Sequence, residues 1–361
     1  MNKLRLNIDG RMKTDEPFVI QISSKPQTFN SNFCASYARQ DEKVQVWCIH
    51  GEFSFTLSKK DSIEDDICIV FPETQQLIRQ YRAHSNSNTL LITEQCDQTC
   101  LMCSQPPKNK FYDDYDLYIQ VMKLTPVKSV IGISGGEPLL EKNKLFLFID
   151  KILAIRPDLQ FHILTNAQHF GMEDLSFIKN TKNNIVWCIP LYSSNPTLHD
   201  DIVCKVGAYK QLLKSLNILF VAGSIVELRT VLIKQNQWEL PKLADFIGKH
   251  LSLILNWSIM QLENEGYAKM NWQSLFVDTS IDFSYVDQAI TIANNYNIIT
   301  KLYNFPLCTI PIQYSNLSCQ SISDWKRIYL EDCRLCHERK NCGGFFKSYP
   351  RNSGYQSIGI L

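Results

Sequence analysis

The sequence has no long apolar run. None approaches the roughly 18 residues needed to span a bilayer, so no membrane partner is expected. It has no excess of one charge: 37 Lys and Arg stand against 36 Asp and Glu, a formal net charge of +1. That balance supplies no global field to gather nucleic acid or anionic lipid. Glycine and proline are modest, 14 each in 361 residues, which excludes collagen-like and low-complexity chains. No internal repeat is visible. The opening MNKLRLNIDGRMKTDEP lacks the apolar stretch of a secretory signal, so a cytoplasmic setting is expected.

What is there is ample apolar material, 45% hydrophobic residues with 20% charged. That excludes a disordered chain and suffices for a sizeable core. A length of 361 residues suggests two domains, with three possible. The anomaly is 13 Cys. In a small secreted chain they would mean a disulfide framework; in a chain of this size without a signal they point to metal or cluster binding. Three lie at Cys96, Cys100 and Cys103, and three more at Cys333, Cys336 and Cys342.

Residues 1–85 read as a small, mainly β module. EPFVIQIS, VQVWCIH, GEFSFTL and DICIVFP are rich in β-branched and aromatic residues and separated by polar stretches. Its Cys34, Cys48 and Cys68 have no ligand spacing and read as buried thiols. AHSNSN at 83–88 reads as a linker. Over 86–302 the pattern alternates. NTLLITEQ, KSVIGIS, QFHILTN, IVWCIPLYS, IVELRTVLIK and LILNWSIMQL read as strands. Helix-like stretches such as YDDYDLYIQVMKL, LFLFIDKILAI, YKQLLKSLNILF and PKLADFIGK lie between them. Alternation of this kind predicts βαβ units on a parallel sheet. The expected fold is α/β, a partial (β/α)6 barrel of the TIM type, with a Cys-rich extension over 303–361.

The segment Thr93-Glu94-Gln95-Cys96-Asp97-Gln98-Thr99-Cys100-Leu101-Met102-Cys103 gathers three thiols in one loop after a strand. Soft thiolates at such spacing suit an iron–sulfur cluster. Three ligands leave one iron of a [4Fe–4S] cube open, as a catalytic site requires. A structural zinc would want a fourth Cys or His nearby; no further Cys lies within twenty residues, and the one His, His84, falls in the linker stretch before the strand. After the second strand come Gly135, Gly136, Glu137 and Pro138. Two glycines allow close backbone approach to a ligand, and a carboxylate can pair with an ammonium. In barrel enzymes such groups cluster at the C-terminal strand ends.

Together these motifs resemble the signature of the radical S-adenosylmethionine (SAM) superfamily. The resemblance implies a [4Fe–4S] cluster on Cys96, Cys100 and Cys103, with SAM on its fourth iron. It implies that Gly135–Pro138 hold the amino group of SAM's methionine. Reductive cleavage of SAM would then give a 5′-deoxyadenosyl radical that abstracts hydrogen, fed by an external electron donor. Met102 stands where an aromatic residue is frequent. Asn166, with Thr165, closes the third strand, where the bland reading is a turn. Ser193, between Tyr192 and Ser194, closes the fourth, where the family contacts the SAM ribose. Arg229 lies in a strand that otherwise wants apolar residues; facing inward it could pair with the methionine carboxylate, facing outward it would be only solvated. QLENEGYAKMNW at 261–272 resembles a segment near adenine in related maturases. The His199–Asp200 pair could orient a loop or meet substrate.

Cys333-x2-Cys336-x5-Cys342-Gly343-Gly344 is a second ligand-like array, and Cys308 would make four thiolates. It resembles the auxiliary-cluster extensions of peptide-modifying radical SAM enzymes. Phe346 stands where a further Cys is expected, which argues for one auxiliary cluster. Cys319 competes as fourth ligand, and zinc remains an alternative occupant. TEQCDQTCLMCSQPPK, ISGGEPLL, LYNFPLC, QSISDWK and CGGFF occur in the same order in the maturases of the His-Xaa-Ser repeat system, the HxsC type. That implies a precursor peptide with His-Xaa-Ser repeats as substrate and a second radical SAM maturase as partner. The N-terminal module could bind a leader peptide by strand addition, or act only as a lid. The competing readings are a radical SAM enzyme acting on a small molecule or RNA, and a non-catalytic iron–sulfur or zinc protein.

Overall fold

The computed structural model describes residues 4–25 and 32–359. Contacts divide the chain into two units. One comprises Met1–Ile92, Tyr112–Ile133 and Asn143–Phe161; the other comprises Thr93–Phe111, Ser134–Lys142 and His162–Leu361.

The N-terminal segment forms eight strands: β1 (Arg5–Asn7), β2 (Asp9–Met12), β3 (Phe18–Ser23), β4 (Cys34–Gln40), β5 (Lys43–Cys48), β6 (Gly51–Thr56), β7 (Ile67–Phe71) and β8 (Gln76–Tyr81). Their order is β1-β8-β7-β3-β4-β5-β6-β2. The terminal strands of this sheet are consecutive in the chain, with only Ile8 between them. The two ends of the sheet are therefore joined by a single residue, which removes most of the free edge that strand addition needs. Ile20, Ile22, Val44, Val46, Phe53 and Ile63 fill the interior, each fully buried. Cys48 and Cys68 belong to that core, as the sequence suggests, whereas Cys34, expected to be buried with them, is only half-buried at the start of β4. The linker stretch is a tight turn: Asn88 accepts from Arg82 N at 2.8 Å and donates to Ser85 O at 2.9 Å.

The second sheet holds β9 (Thr89–Thr93), β10 (Val130–Gly135), β11 (Gln160–Leu164), β12 (Ile185–Pro190), β13 (Ile225–Val231), β14 (Asn256–Met260), β15 (Thr300–Tyr303) and β16 (Ser318–Cys319). They run in unbroken sequence order, and β12 to β16 pair in parallel. Such order with no closing pair is an open partial barrel, as expected. All six anticipated strands are present; β15 and β16 extend the sheet by two. The helices are α1 (Tyr115–Leu124), α2 (Lys142–Ile155), α3 (Leu175–Thr181), α4 (Pro196–Val203), α5 (Ala208–Val221), α6 (Leu240–His250), α7 (Gly266–Met270), α8 (Trp272–Leu275) and α9 (Ser284–Asn295). Asn195 caps α4 by accepting from Thr197 N at 2.9 Å, with Pro196 at its first position. Among the described residues no helix is long and apolar enough to cross a membrane.

Strand alternation divides the sheet's faces. Val226 and Leu228 of β13, Trp257 and Ile259 of β14 and Leu302 of β15 are fully buried on one face. There Trp257 Nε1 donates to Thr230 Oγ1 at 2.9 Å. The alternate residues of the same strands, Glu227, Arg229, Asn256, Ser258, Lys301 and Tyr303, are polar. After β16 the chain is built of short turns and a two-residue ladder, β17 (Arg327–Ile328) with β18 (Phe345–Phe346).

Candidate functional site

The loop after β9 carries Cys96, Cys100 and Cys103, and non-local bonds hold it along its length. Glu94 N donates to Lys110 O at 2.7 Å, Leu101 N to Ile202 O at 3.0 Å, and Tyr267 N to Cys103 O at 2.8 Å. Gly266 has φ +58°, and a Cβ there would stand 2.4 Å from Cys103 O. Only glycine lets α7 press on the end of this loop.

Gly135–Pro138 lie directly on the same loop. Gly136 N donates to Thr93 O at 3.0 Å and Glu137 N to Gln95 O at 2.7 Å. A Cβ on Gly136 would meet Gln95 O at 2.0 Å and Cys96 N at 3.0 Å. The first glycines thus serve close approach of two backbones. Glu137 is completely buried. Its Oε1 accepts from Leu139 N at 2.8 Å and Thr165 Oγ1 at 2.6 Å, and its Oε2 from Asn166 N at 2.6 Å. Burial pushes its pKa up to about 7, against the pull of these hydrogen bonds. Three of its roughly four acceptor sites are already taken by protein donors, so Glu137 acts first as an internal latch.

Asn166 joins the two motifs. Its backbone N–H binds Glu137, and its Nδ2 donates to Asp97 Oδ1 at 2.7 Å. Asp97, between the first two cysteines, also meets His169 Nε2 at 3.1 Å and the Lys205 ammonium. Burial opposes ionisation of Asp97, but hydrogen bonds from His169, Lys205 and Asn166 outweigh it and hold the carboxyl well below the usual range. None of Asp97, His169 and Lys205 was singled out by sequence; loop polar residues far apart in the chain carry no spacing signal.

The other expected residues are placed as follows. Ser193 is fully buried, its Oγ accepting from Asn195 N at 2.8 Å. Arg229 faces the polar side of the sheet, with Nε donating to Glu227 Oε1 at 2.7 Å. His199 packs between Tyr192 and Tyr209, and its Nδ1 accepts from Tyr192 N at 3.3 Å. Burial lowers its pKa to about 4. Asp200 accepts from Tyr209 N at 2.8 Å at the start of α5. That pair orients a loop.

Burial first pushes the Cys96 thiol up to about 12 and the Cys100 thiol above its ordinary value; the charges of Glu137 and Asp97 add to it at Cys96, and Cys103 and Cys96 at Cys100. Near the chain's end, burial and then Cys342, Cys333 and Cys336 push the Cys308 thiol up to about 12. Cys319 instead feels Lys301 and Glu227. Cys342 Sγ accepts from Leu307 N at 3.4 Å and Gly344 N at 3.3 Å. All thirteen cysteines are free. Among the described residues no three His, Cys, Asp or Glu side chains converge tightly enough for a single metal ion. A cluster needs its thiolates wider apart than one tetrahedral ion does. The thiol-only donor sets, one of three and one of four, fit the groups implied.

Residues 90–247 match the family model described as Radical SAM superfamily. Over that stretch the chain is similar to a family that works with a [4Fe–4S] cluster and SAM. No curated protein sequence matches. Among solved structures, Streptococcus suis SuiB bound to precursor peptide SuiA is similar with TM-score 0.48 and 16% identity, over 59% of this chain and 48% of that one. Native anSMEcpe with bound AdoMet and Cp18Cys peptide is similar with TM-score 0.42 and 13% identity, over 48% of this chain and 50% of that one. A domain of pyruvate-formate lyase-activating enzyme from Bacteroides vulgatus ATCC 8482 follows with TM-score 0.38 and 15% identity, over 47% of this chain and 96% of that one. This chain thus spans about half the length of SuiB and anSMEcpe.

Proposed function

We propose that the protein is a cytoplasmic radical SAM maturase that modifies a ribosomally made peptide with His-Xaa-Ser repeats. One observation carries the core of this reading. The Cys96–Cys103 loop and Gly135–Pro138 touch through Gly136 N to Thr93 O and Glu137 N to Gln95 O. One small ligand can therefore reach both motifs.

In this reading Cys96, Cys100 and Cys103 hold the SAM-binding [4Fe–4S] cluster. Gly135, Gly136, Glu137, Pro138, Asn166, Ser193 and Arg229 surround SAM. Cys308, Cys333, Cys336 and Cys342 hold an auxiliary [4Fe–4S] cluster, with zinc the less favoured occupant. Residues 1–85 form the N-terminal module, 86–302 the radical SAM core and 303–361 the auxiliary extension. The cluster with SAM, when bound, supplies one-electron cleavage to a carbon radical that abstracts hydrogen. The protein's own part is positional. The Asp97 network fixes the Cys loop, and Glu137 fixes the turn after β10. An external electron donor and a second radical SAM maturase complete the expected partners; the peptide identity rests on the order of the local phrases named above.

The test is anaerobic reconstitution of wild type and of the Cys96→Ala/Cys100→Ala/Cys103→Ala variant. The variant should lose about four irons and all 5′-deoxyadenosine formation. Retained SAM cleavage would sink the reading. With a His-Xaa-Ser repeat peptide added to wild type, a mass loss of two hydrogens or uptake of deuterium is expected.

A further inference from the structure

The polar face of the sheet is ordered in rows. Register aligns Cys188, Glu227 and Asn256 in one row. The next row toward the strand C-termini is Pro190, Arg229, Ser258 and Lys301. Above it stand Val231, Met260, Tyr303 and Cys319. A closed barrel fills such an interior with branched apolar side chains. Here the interior is polar, and Arg229, Lys301 and Tyr303 keep part of their surface exposed.

The middle row carries two cations on either side of one hydroxyl. Adjacent strands lie about 4.8 Å apart, so the backbones of Arg229 and Lys301 stand about 10 Å apart across Ser258. Glu227 is committed below them: its Oε1 accepts from Arg229 Nε at 2.7 Å and from Ser258 Oγ at 3.2 Å. Among the described residues no hydrogen bond or ion pair engages the terminal guanidinium nitrogens of Arg229 or the ammonium of Lys301. The Arg229 guanidinium lies 5.8 Å from the Tyr303 ring centroid, which holds it over the sheet. Charge on this face sums to one positive excess, Arg229 and Lys301 against Glu227. Burial lowers the His162 pKa; Glu227 opposes that shift, and Arg229 and Lys301 add to it by smaller amounts. A half-buried cation without a partner is costly unless a ligand supplies the counter-charge.

We propose that Lys301, with Arg229 beside it and Ser258 between, forms a carboxylate-recognition site for the substrate, so that the modified peptide presents an acidic side chain or a terminal carboxylate to the barrel interior. This rests on the radical SAM reading and adds the chemistry of what that enzyme takes. SAM's own methionine carboxylate is the other source of the same group, and Arg229 alone suffices for it. Lys301 is the cation that one bound SAM leaves over.

The test uses the full reconstituted chain, held anaerobically with saturating SAM. The probes are N-acetyl-glutamate methylamide and its glutamine counterpart, followed by saturation-transfer NMR. The acid should bind about tenfold more tightly than the amide. Lys301→Met should erase that difference, and Lys301→Arg should keep it. SAM affinity by calorimetry should stay within about twofold in both variants. Equal binding of acid and amide to wild type would overturn the proposal. So would weakened SAM binding in Lys301→Met at normal iron content, which would assign the row to SAM. If wild type fails to cleave SAM with no probe present, the radical SAM reading falls instead, so the two failures are told apart.

Discussion

The loop of Cys96, Cys100 and Cys103 is tied to distant chain at Glu94, Gln95, Asp97, Leu101 and Cys103, through Lys110, Glu137, Asn166, Ile202 and Tyr267. Between Cys333 and Cys342 almost every backbone bond is local, as in Cys336 N to Cys333 O, Arg339 N to Cys336 O and Cys342 N to Glu338 O. Long-range hydrogen bonds there are few among the described residues: Gln320 Nε2 to Lys340 O at 2.7 Å, Tyr329 Oη to Cys342 O at 3.0 Å and Leu307 N to Cys342 Sγ at 3.4 Å. Residues 331–341 are mostly exposed, and Leu335 is 73% exposed. One thiol set is built by the fold; the other is a chain of single turns that a bound cluster or ion would have to hold together. The difference fits their proposed roles. A ligand position left open for chemistry must be rigid without help from its ligand, whereas a fully ligated site can draw its order from the ligand itself.

The sharpest way to break this contrast is to remove the groups from both sites. Chelation of the reconstituted protein should expose 320–345 to protease first, with cuts at the exposed Arg334, Arg339 and Lys340. The 93–111 loop should stay protected. The Cys333→Ser/Cys336→Ser variant should give the same early cuts while keeping SAM cleavage detectable. Equal protease sensitivity of both loops, read by mass spectrometry of fragments, would erase the distinction.

A smaller effect tests what makes the first loop rigid. Asp97 is a part-buried charge with three donors, and removing one partner of such a set costs about 2 kcal/mol. Asp97→Asn keeps the shape but loses the charge between His169 and Lys205. Amide exchange over 96–103 should speed up by about tenfold, with global unfolding shifted by no more than that cost. Iron content should hold, since no thiol is touched. Unchanged exchange would mean that the backbone ties at Leu101 and Cys103 are enough.

These contrasts also show how far the sequence was legible. β9 to β14 were visible because each gathers β-branched, aromatic or other apolar residues, as in LLIT, IVWCI or the Trp and Ile of NWSIM. β15 was not: TKLY is four residues alternating polar and apolar, and it pairs only because β14 offers an edge. Likewise β1, β2 and β4, from RLN to CASYARQ, have little apolar content and are made by pairing. The cysteine loop and the glycine pair were legible because ligand spacing and close approach are local demands. The ties of Asp97 span 69 to 108 residues, so no spacing announces them. The polar interior was half legible: Glu227 and Arg229, two apart in a strand, had to share a face, but Lys301 belonged to a strand that was not anticipated.

The smallest expected effect concerns the sign of two carboxylates that Asn166 connects. Asp97 has a depressed pKa, so its stabilisation is present above the ordinary carboxylate value and is lost only as pH falls through its lower folded value. Glu137 runs the other way. Its folded pKa is raised to about 7, chiefly by burial, so the native state binds a proton that the unfolded chain has released. Between about pH 4.5 and 7 the folded protein therefore loses stability as pH rises, by up to a few kcal/mol in principle. Three hydrogen-bond donors aimed at the carboxylate limit that loss. Glu137→Gln removes the titration. It also sets an amide N–H against a donor, Asn166 N on one side or Leu139 N on the other, at a cost of about 1–3 kcal/mol. Urea unfolding at pH 5 and pH 7.5 checks both parts. Wild type should lose midpoint over that interval, while the variant should be weaker throughout and flatter with pH. A variant with the wild-type pH slope would move the titration to another group and leave Glu137 ionised, held by its three donors alone.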